Sequence, residues 1–306
     1  MSFAVTLSTV LMMLAYSVPG YLLIKFGKIK SGHISDFATT LLYVCSPFQT
    51  VYAMHKIEYS GYMVRYLALS LALGMLLMGG MLLIVYCVLR RKQEIVAYRI
   101  YTASSALGNC GFMGIPMLEA LMPEYPQGVA FASSFFLAMN ILMWTAVSFI
   151  YTRDRKYISV RKIFLNPSSI AMGLSLLLFF GRIQLTGAAE EFVTTLSKMA
   201  TPLCMLILGM RLAAIPLKPM FTRPGQYAAS GLKLVVFPLF ALAILSLLPV
   251  EREYVRTLYI ICCMPVGNLI LSFAEILGEG QDVAANVVLL STILSMATVP
   301  LMTLIV

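Results

Sequence analysis

Two stretches of this sequence place breakers and amides where an apolar helix would otherwise run. The first is GNCGFMGIPM, Gly108–Met117, where Gly108, Gly111, Gly114 and Pro116 follow one another closely around Asn109. The second is CMPVGNLILSFAEILG, Cys263–Gly278, with Pro265, Gly267 and Asn268 near its start. Glycine loses backbone entropy in a helix and proline removes a hydrogen bond, so both stretches predict an interrupted helix. The chemistry they suggest is binding, not bond making. The N-terminus of a half-helix offers unpaired N–H groups and partial positive charge, a seat for an anion. Asn109 and Asn268 add amide donors, or turn their carbonyls to a cation. Neither stretch contains Lys or Arg, so an anion would be held there by dipoles and amides. The competing reading is a kink that only helps helices pack.

Other chemistries lack their residues. Only His33 and His55 could act as imidazole bases, and no DxxxD, HExxH or GxSxG pattern occurs. An intramembrane enzyme needs a nucleophile with a base, or an acidic metal-binding cluster. No enzyme and no cofactor are therefore expected. The cysteines (Cys45, Cys87, Cys110, Cys204, Cys262, Cys263) form no CxxC pair and read as small buried hydrophobes. The absence of a Walker A loop argues against a primary pump on this chain.

The elements that must position the two breaks are membrane spans. The chain has 306 residues, of which 60% are hydrophobic and 11% charged. Its mean hydropathy is +0.89. A soluble domain carries roughly 25% charged residues. The composition predicts an all-α polytopic membrane protein, with room for about ten helices at ~20 residues per span. Apolar segments fall at 4–24, 36–54, 62–89, 99–121, 127–151, 167–183, 191–214, 226–249, 254–277 and 282–305. The breaks lie in the fourth and ninth of these. The N-terminal run has no basic n-region and continues to Ile24, so it reads as the first span rather than a signal peptide.

A net charge of +9 could suggest nucleic acid, but its distribution points to a lipid bilayer. Lys25, Lys28 and Lys30 follow span one, and Arg90, Arg91, Lys92 and Arg99 follow span three. Arg153, Arg155, Lys156, Arg161 and Lys162 follow span five; Arg211, Lys218 and Arg223 follow span seven. Basic clusters after odd-numbered spans mark cytoplasmic loops, so both termini are expected outside a plasma (inner) membrane. The turn after span four carries Glu119 and Glu124 and no base, which agrees. The loop after span nine is expected inside although it carries Glu275, Glu279 and Asp282, because acidic residues count little in this rule.

The two halves resemble each other. DFATTLLYVCSP (Asp36–Pro47) aligns without gaps on EFVTTLSKMATP (Glu191–Pro202), and FGKI (Phe26–Ile29) matches FGRI (Phe180–Ile183). PMLEAL (Pro116–Leu121) corresponds to SFAEIL (Ser272–Leu277). Five spans per half make the second copy enter from the opposite side. Inverted repeats with matched broken helices are a signature of secondary transporters. The expected organisation is a first repeat over 1–151, a linker over 152–166 and a second repeat over 167–306.

Ser46, Pro47 and Gln49 in span two, and Thr201 and Pro202 in span seven, are either kinks or the lining of a cavity beside the breaks; Ser104 and Ser105 are similar candidates. Asp36 and Glu191 suit helix N-termini. Glu119 and Glu275 read as solvated interface positions. Lys198 and Lys233 are costly in lipid, and snorkelling is the expectation for both.

NCGFMGIPML (Asn109–Leu118) resembles the fourth-span motif of the auxin efflux carrier family, where an Asn precedes a Met-Gly-Ile-Pro-Leu-Leu type run. DVAANVVLLSTILSMATVPLMTLI (Asp282–Ile305) is similar to that family's last span. The resemblance implies a fold like that of sodium/bile acid symporters. Spans one, two, six and seven would form a scaffold, and spans three to five and eight to ten a bundle that moves like an elevator. It further implies a homodimer, and a crossover in which Asn109 and Pro116 match substrate-binding positions. Plant members export the auxin anion; bacterial members are linked to malonate or malate. This chain departs from the plant pattern at Ile270, where a second proline stands, and has only Thr152–Asn166 for the long cytoplasmic loop.

The reading is a secondary carrier of a small organic anion, with a site drawn from Asn109, Gly111, Gly114, Pro116, Pro265, Gly267, Asn268, Ser46, Gln49 and Ser105. Proton coupling, sodium coupling and uniport driven by membrane potential stay open; one charge moved through 100 mV is worth about 2.3 kcal/mol. The alternatives are a cation-coupled carrier of a neutral or cationic solute, and a channel or sensor.

Overall fold

Backbone in hydrocarbon has no water to bond to, so long apolar runs must close their hydrogen bonds within themselves. The computed structural model describes residues 3–55, 57–154, 160–165, 167–214 and 217–306, and among them the chain is all helical with no strand. Arg155 and Lys156 of the basic loop lie outside the described residues, as do 157–159 and 166 of the linker.

Among the described residues six helices are long and apolar enough to cross a membrane, and two more are apolar but shorter. In chain order, α1 is Phe3–Lys25, α2 spans residues 34–55, α3 is Gly61–Lys92 and α4 is Val96–Ser104. Then follow α5 Cys110–Leu121, α6 Gln127–Thr152, α7 Pro167–Phe180 and α8 Ala188–Ala214. The last are α9 Pro224–Leu245, α10 Arg252–Cys263, α11 Asn268–Leu277 and α12 Gln281–Thr303. The six long ones are α1, α3, α6, α8, α9 and α12. The apolar segments at 99–121 and 254–277 are not single spans. They divide into α4 with α5 and α10 with α11, where α4, α10 and α11 have 9, 12 and 10 residues. At 1.5 Å per residue such pieces cover roughly half of a ~30 Å hydrocarbon core.

Two packing groups surround the breaks. α8 lies along the second half of α1 and against α2, and α7 packs on α2. The α1–α8 contact is backbone on backbone: a Cβ on Gly20 would collide with the Leu206 carbonyl oxygen, and one on Gly209 with that of Ser17. Small residues allow such approach where lipid supplies no hydrophobic drive between helices. In the other group α3 packs on α6, while α9, α4 and α11 pack around α12. Large apolar side chains such as Val88 and Leu177 stay 77% and 72% exposed, as lipid permits.

The two ends of the bundle differ. At one end Arg153 pairs with Glu94, and Arg99 donates to the carbonyls of Gln93 (2.6 Å) and Tyr151 (2.9 Å). At the other, the Tyr62 hydroxyl donates to Glu251 (2.9 Å) and lies 3.0 Å from that of Tyr125. The basic run Arg90–Lys92 adjoins the first end.

Candidate functional site

Between α4 and α5 the chain opens at Ser105 and runs extended to Asn109; between α10 and α11 it runs extended from Met264 to Gly267. The extended pieces meet side by side. The Asn109 N–H donates to the Pro265 carbonyl (2.7 Å), and the Gly267 N–H donates to that of Leu107 (3.1 Å). Gly108 and Val266 form an isolated antiparallel bridge there. Each break thus supplies the hydrogen bonds that the other lost, which is what non-helical backbone at membrane depth requires. Gly267 has to be glycine, because a Cβ would stand 2.7 Å from the Gly108 carbonyl oxygen.

After its break the first chain re-enters helix through a π-turn, Cys110–Gly114. The N–H groups of Met113 and Gly114 both donate to the Asn109 carbonyl, at 3.3 and 3.1 Å. Pro116 sits in the first turn of the regular helix that follows. Its missing N–H is cheap there, so it starts the second half-helix instead of kinking a continuous one. Two carbonyls of the π-turn are received from the other packing group. Gln49 Nε2 of α2 donates to the Gly111 oxygen (3.3 Å), and Thr201 Oγ1 of α8 to that of Phe112 (3.0 Å). A side chain on Gly114 would meet Ile261 Cδ1 at 2.7 Å, so this turn is tightly held.

The second break is plainer. Met264 has φ −63° and ψ 145°, Gly267 caps α11, and Asn268 is its first residue. Asn268 Nδ2 lies 3.0 Å from Cys204 Sγ on α8. Asn109 is 6% exposed. Asn268 instead faces a small cavity of ≈20 Å³ together with Phe112, Leu269, Ser272 and Arg211 of α8. That volume holds about one water molecule. Arg211 also lines a neighbouring cavity of ≈230 Å³, and Leu269 and Ser272 another of ≈430 Å³. Glu275 lines both larger cavities and grips Arg211 bidentately, one of the two contacts measuring 3.1 Å. One small cavity thus joins Asn268, at the α11 N-terminus, to Arg211 on the opposite packing group, whose guanidinium is held about two turns further along α11 by Glu275. Another cavity, ≈330 Å³, lies between α2 and α7 beside His55, Glu58 and Arg182 and shares no residue with the breaks.

The structure brings together Asn109, Gly111, Gly114, Pro265, Gly267, Asn268 and Gln49. It sets Ser46 apart: its hydroxyl lies 2.9 Å from that of Ser168, tying α2 to α7. Ser105 donates to the Thr102 carbonyl of its own helix (2.7 Å) and is fully buried. Two expectations need correction. Lys233 does not snorkel; it is fully buried, and its Nζ donates to the Cys262 carbonyl (2.7 Å). Glu275 is exposed, as expected, and pairs with Arg211. The breaks are also not free of cations, because neighbouring helices bring Arg211 to the cavity of Asn268 and Lys233 to the Cys262 carbonyl. Cys204 could have been found from the repeat: carried two residues past Pro47 and Pro202, the alignment sets Gln49 opposite Cys204, and each bonds to one break. Arg211 left no comparable signal.

The chain matches the sequence profile of a family described as "Membrane transport protein" over residues 5–303. No curated protein matches it.

Proposed function

The chain belongs to the membrane transport protein family, the auxin efflux carrier family, and is a multi-pass membrane transporter; on that footing we propose that its cargo is a small organic anion of the carboxylate class. The observation that carries this reading is the shared cavity of Asn268 and Arg211. A half-helix N-terminus offers N–H donors and positive potential, and a guanidinium matches a carboxylate bidentately. Glu275 occupies that guanidinium now, so a carboxylate cargo takes the place of the Glu275 side chain as the cavity widens.

Widening follows from where the partners sit. Arg211 belongs to the group of α1, α2, α7 and α8, whereas Asn268 and Glu275 belong to the group of α3–α6 and α9–α12. The first group is the scaffold and the second the moving bundle of an elevator. The residues 1–151 and 167–306 are two inverted five-helix repeats around the linker 152–166. The basic end faces the cytoplasm and both termini lie outside the plasma membrane, as the positive-inside rule directs. A homodimer would form through the scaffold, whose α7 presents Ile170, Leu174 and Leu177 outward. Cross-linking in lipid that finds only monomers would remove the dimer.

The test is uptake of labelled malonate, malate and indole-3-acetate into proteoliposomes, with proton, sodium and potential gradients imposed separately. Saturable uptake whose KM rises in both Asn268→Ala and Arg211→Gln is expected. Uptake indifferent to both substitutions would overturn the site.

A further inference from the structure

Lys233 is the only charged side chain in the buried core among the described residues. An ammonium at that depth is costly and marks function in membrane proteins. Its seat is specific. A π-turn in α9, Leu232–Val236, carries it, and such turns are frequent at functional sites. The Nζ donates to the carbonyl of Cys262 (2.7 Å) and lies 4.5 Å from the centre of the Phe237 ring. Cys262 is in the last turn of α10, so the ammonium closes the C-terminal end of a broken half-helix. Carbonyls there have no partner within the helix and carry partial negative charge. The first break is fitted around the same group: a Cβ on Gly108 would stand 3.0 Å from Lys233 Cε and 3.1 Å from Nζ.

In carriers built from broken helices, unwound carbonyls and half-helix C-termini are where a dissociable coupling cation sits. We infer that Lys233 is a resident cation that fills this position permanently, so that this chain moves its cargo without a bound metal cation. The tethered ammonium neutralises the α10 end and adds positive potential behind the Gly108–Val266 bridge, next to the half-helix that faces the cargo. The transport arm of the test rests on the carboxylate reading; the unfolding arm does not.

In the unfolding arm, thermal melting of purified protein is compared in sodium chloride and choline chloride at equal ionic strength. The wild type is expected to melt alike in both. Lys233→Ser, which removes the ammonium and leaves room with a hydroxyl, is expected to melt lower in choline and to recover dose-dependently with sodium. Lys233→Met, which fills the space without charge, is expected to melt lower in both salts. Specific stabilisation of the wild type by sodium, or a Lys233→Ser variant indifferent to it, would overturn the inference. The wild-type comparison needs no variant to fold.

In the transport arm, wild-type malonate uptake is expected to be equal in sodium and choline. Lys233→Ser uptake should rise severalfold with sodium, and Lys233→Met should be inactive in either salt. A severalfold fall of wild-type uptake without sodium, or wild-type rates in Lys233→Met, would overturn it. If the wild type moves no carboxylate, the cargo reading fails, and the unfolding arm still decides whether Lys233 stands in for a cation.

Discussion

The break around Gly108–Gly114 and the break around Pro265–Gly267 do the same geometric job with different means. The first has three glycines, an asparagine and a proline, and the structure uses them for closure. Its π-turn carbonyls are taken by Gln49 and Thr201, and Asn109 is buried. The second has one proline and one glycine and re-enters helix at once. Its first helical residue, Asn268, looks into a cavity with Arg211, and its upstream end rests on Lys233. The density of helix breakers therefore does not say which break meets a ligand. A heavily broken stretch frees many backbone groups, and most of its surroundings must then be spent on satisfying them. The plainer break leaves its helix N-terminus available.

That contrast can be broken by experiment. Arg211→Gln is expected to have the largest effect, raising the KM for malonate by about tenfold to a hundredfold, as hydrogen bonds to a charged group contribute about 1.5–3 kcal/mol. Proteoliposome uptake over a range of malonate concentrations measures it, and an unchanged KM would place the cargo elsewhere. Asn268→Ala should raise KM about fivefold, the worth of a neutral hydrogen bond at ~1 kcal/mol. Asn109→Ala should change KM less and lower the melting temperature more. Equal KM effects of the two asparagines would erase the distinction between the breaks.

Gln49→Ala leaves the Gly111 carbonyl without its donor in a buried setting. Loss of a partner by a buried acceptor costs about 1–3 kcal/mol, so a lower melting temperature with an unchanged KM is expected. A raised KM at full stability would mean that the first break also touches cargo. The smallest effect belongs to a pair outside both breaks and serves as a baseline. Arg153 beside Glu94 holds that exposed carboxyl below its usual range. A lowered carboxylate contributes stability above its unfolded value, about 4.3, and loses it as pH falls through the folded one. Solvent screening keeps this contribution small. Glu94→Gln should flatten the acid side of the melting profile slightly and leave uptake unchanged.

Much of this arrangement was legible in the sequence. Hydropathy marked the long helices, because the bilayer demands apolar length. Gly108, Pro116, Pro265 and Gly267 marked the places where a helix stops, because backbone entropy and a missing N–H are local properties. The part played by Ser46 and Ser105 was not legible in this way. A hydroxyl in an apolar run signals a polar need, yet Ser46 meets it on Ser168 and Ser105 on its own helix. Lys233 and Arg211 read as a snorkelling lysine and a loop charge, which is the usual fate of basic residues near span ends.

By itself, then, the sequence determined that this chain crosses a membrane and where two of its helices break. Those outcomes depend on composition and on residues close together along the chain. Only the tertiary structure decided that the breaks pair through Asn109 with Pro265 and Gly267 with Leu107, and that Arg211 and Lys233 reach them from α8 and α9. A buried cation is tolerated only where distant segments bring it carbonyls, rings or carboxylates, and the packing of helices far apart in the chain sets those distances.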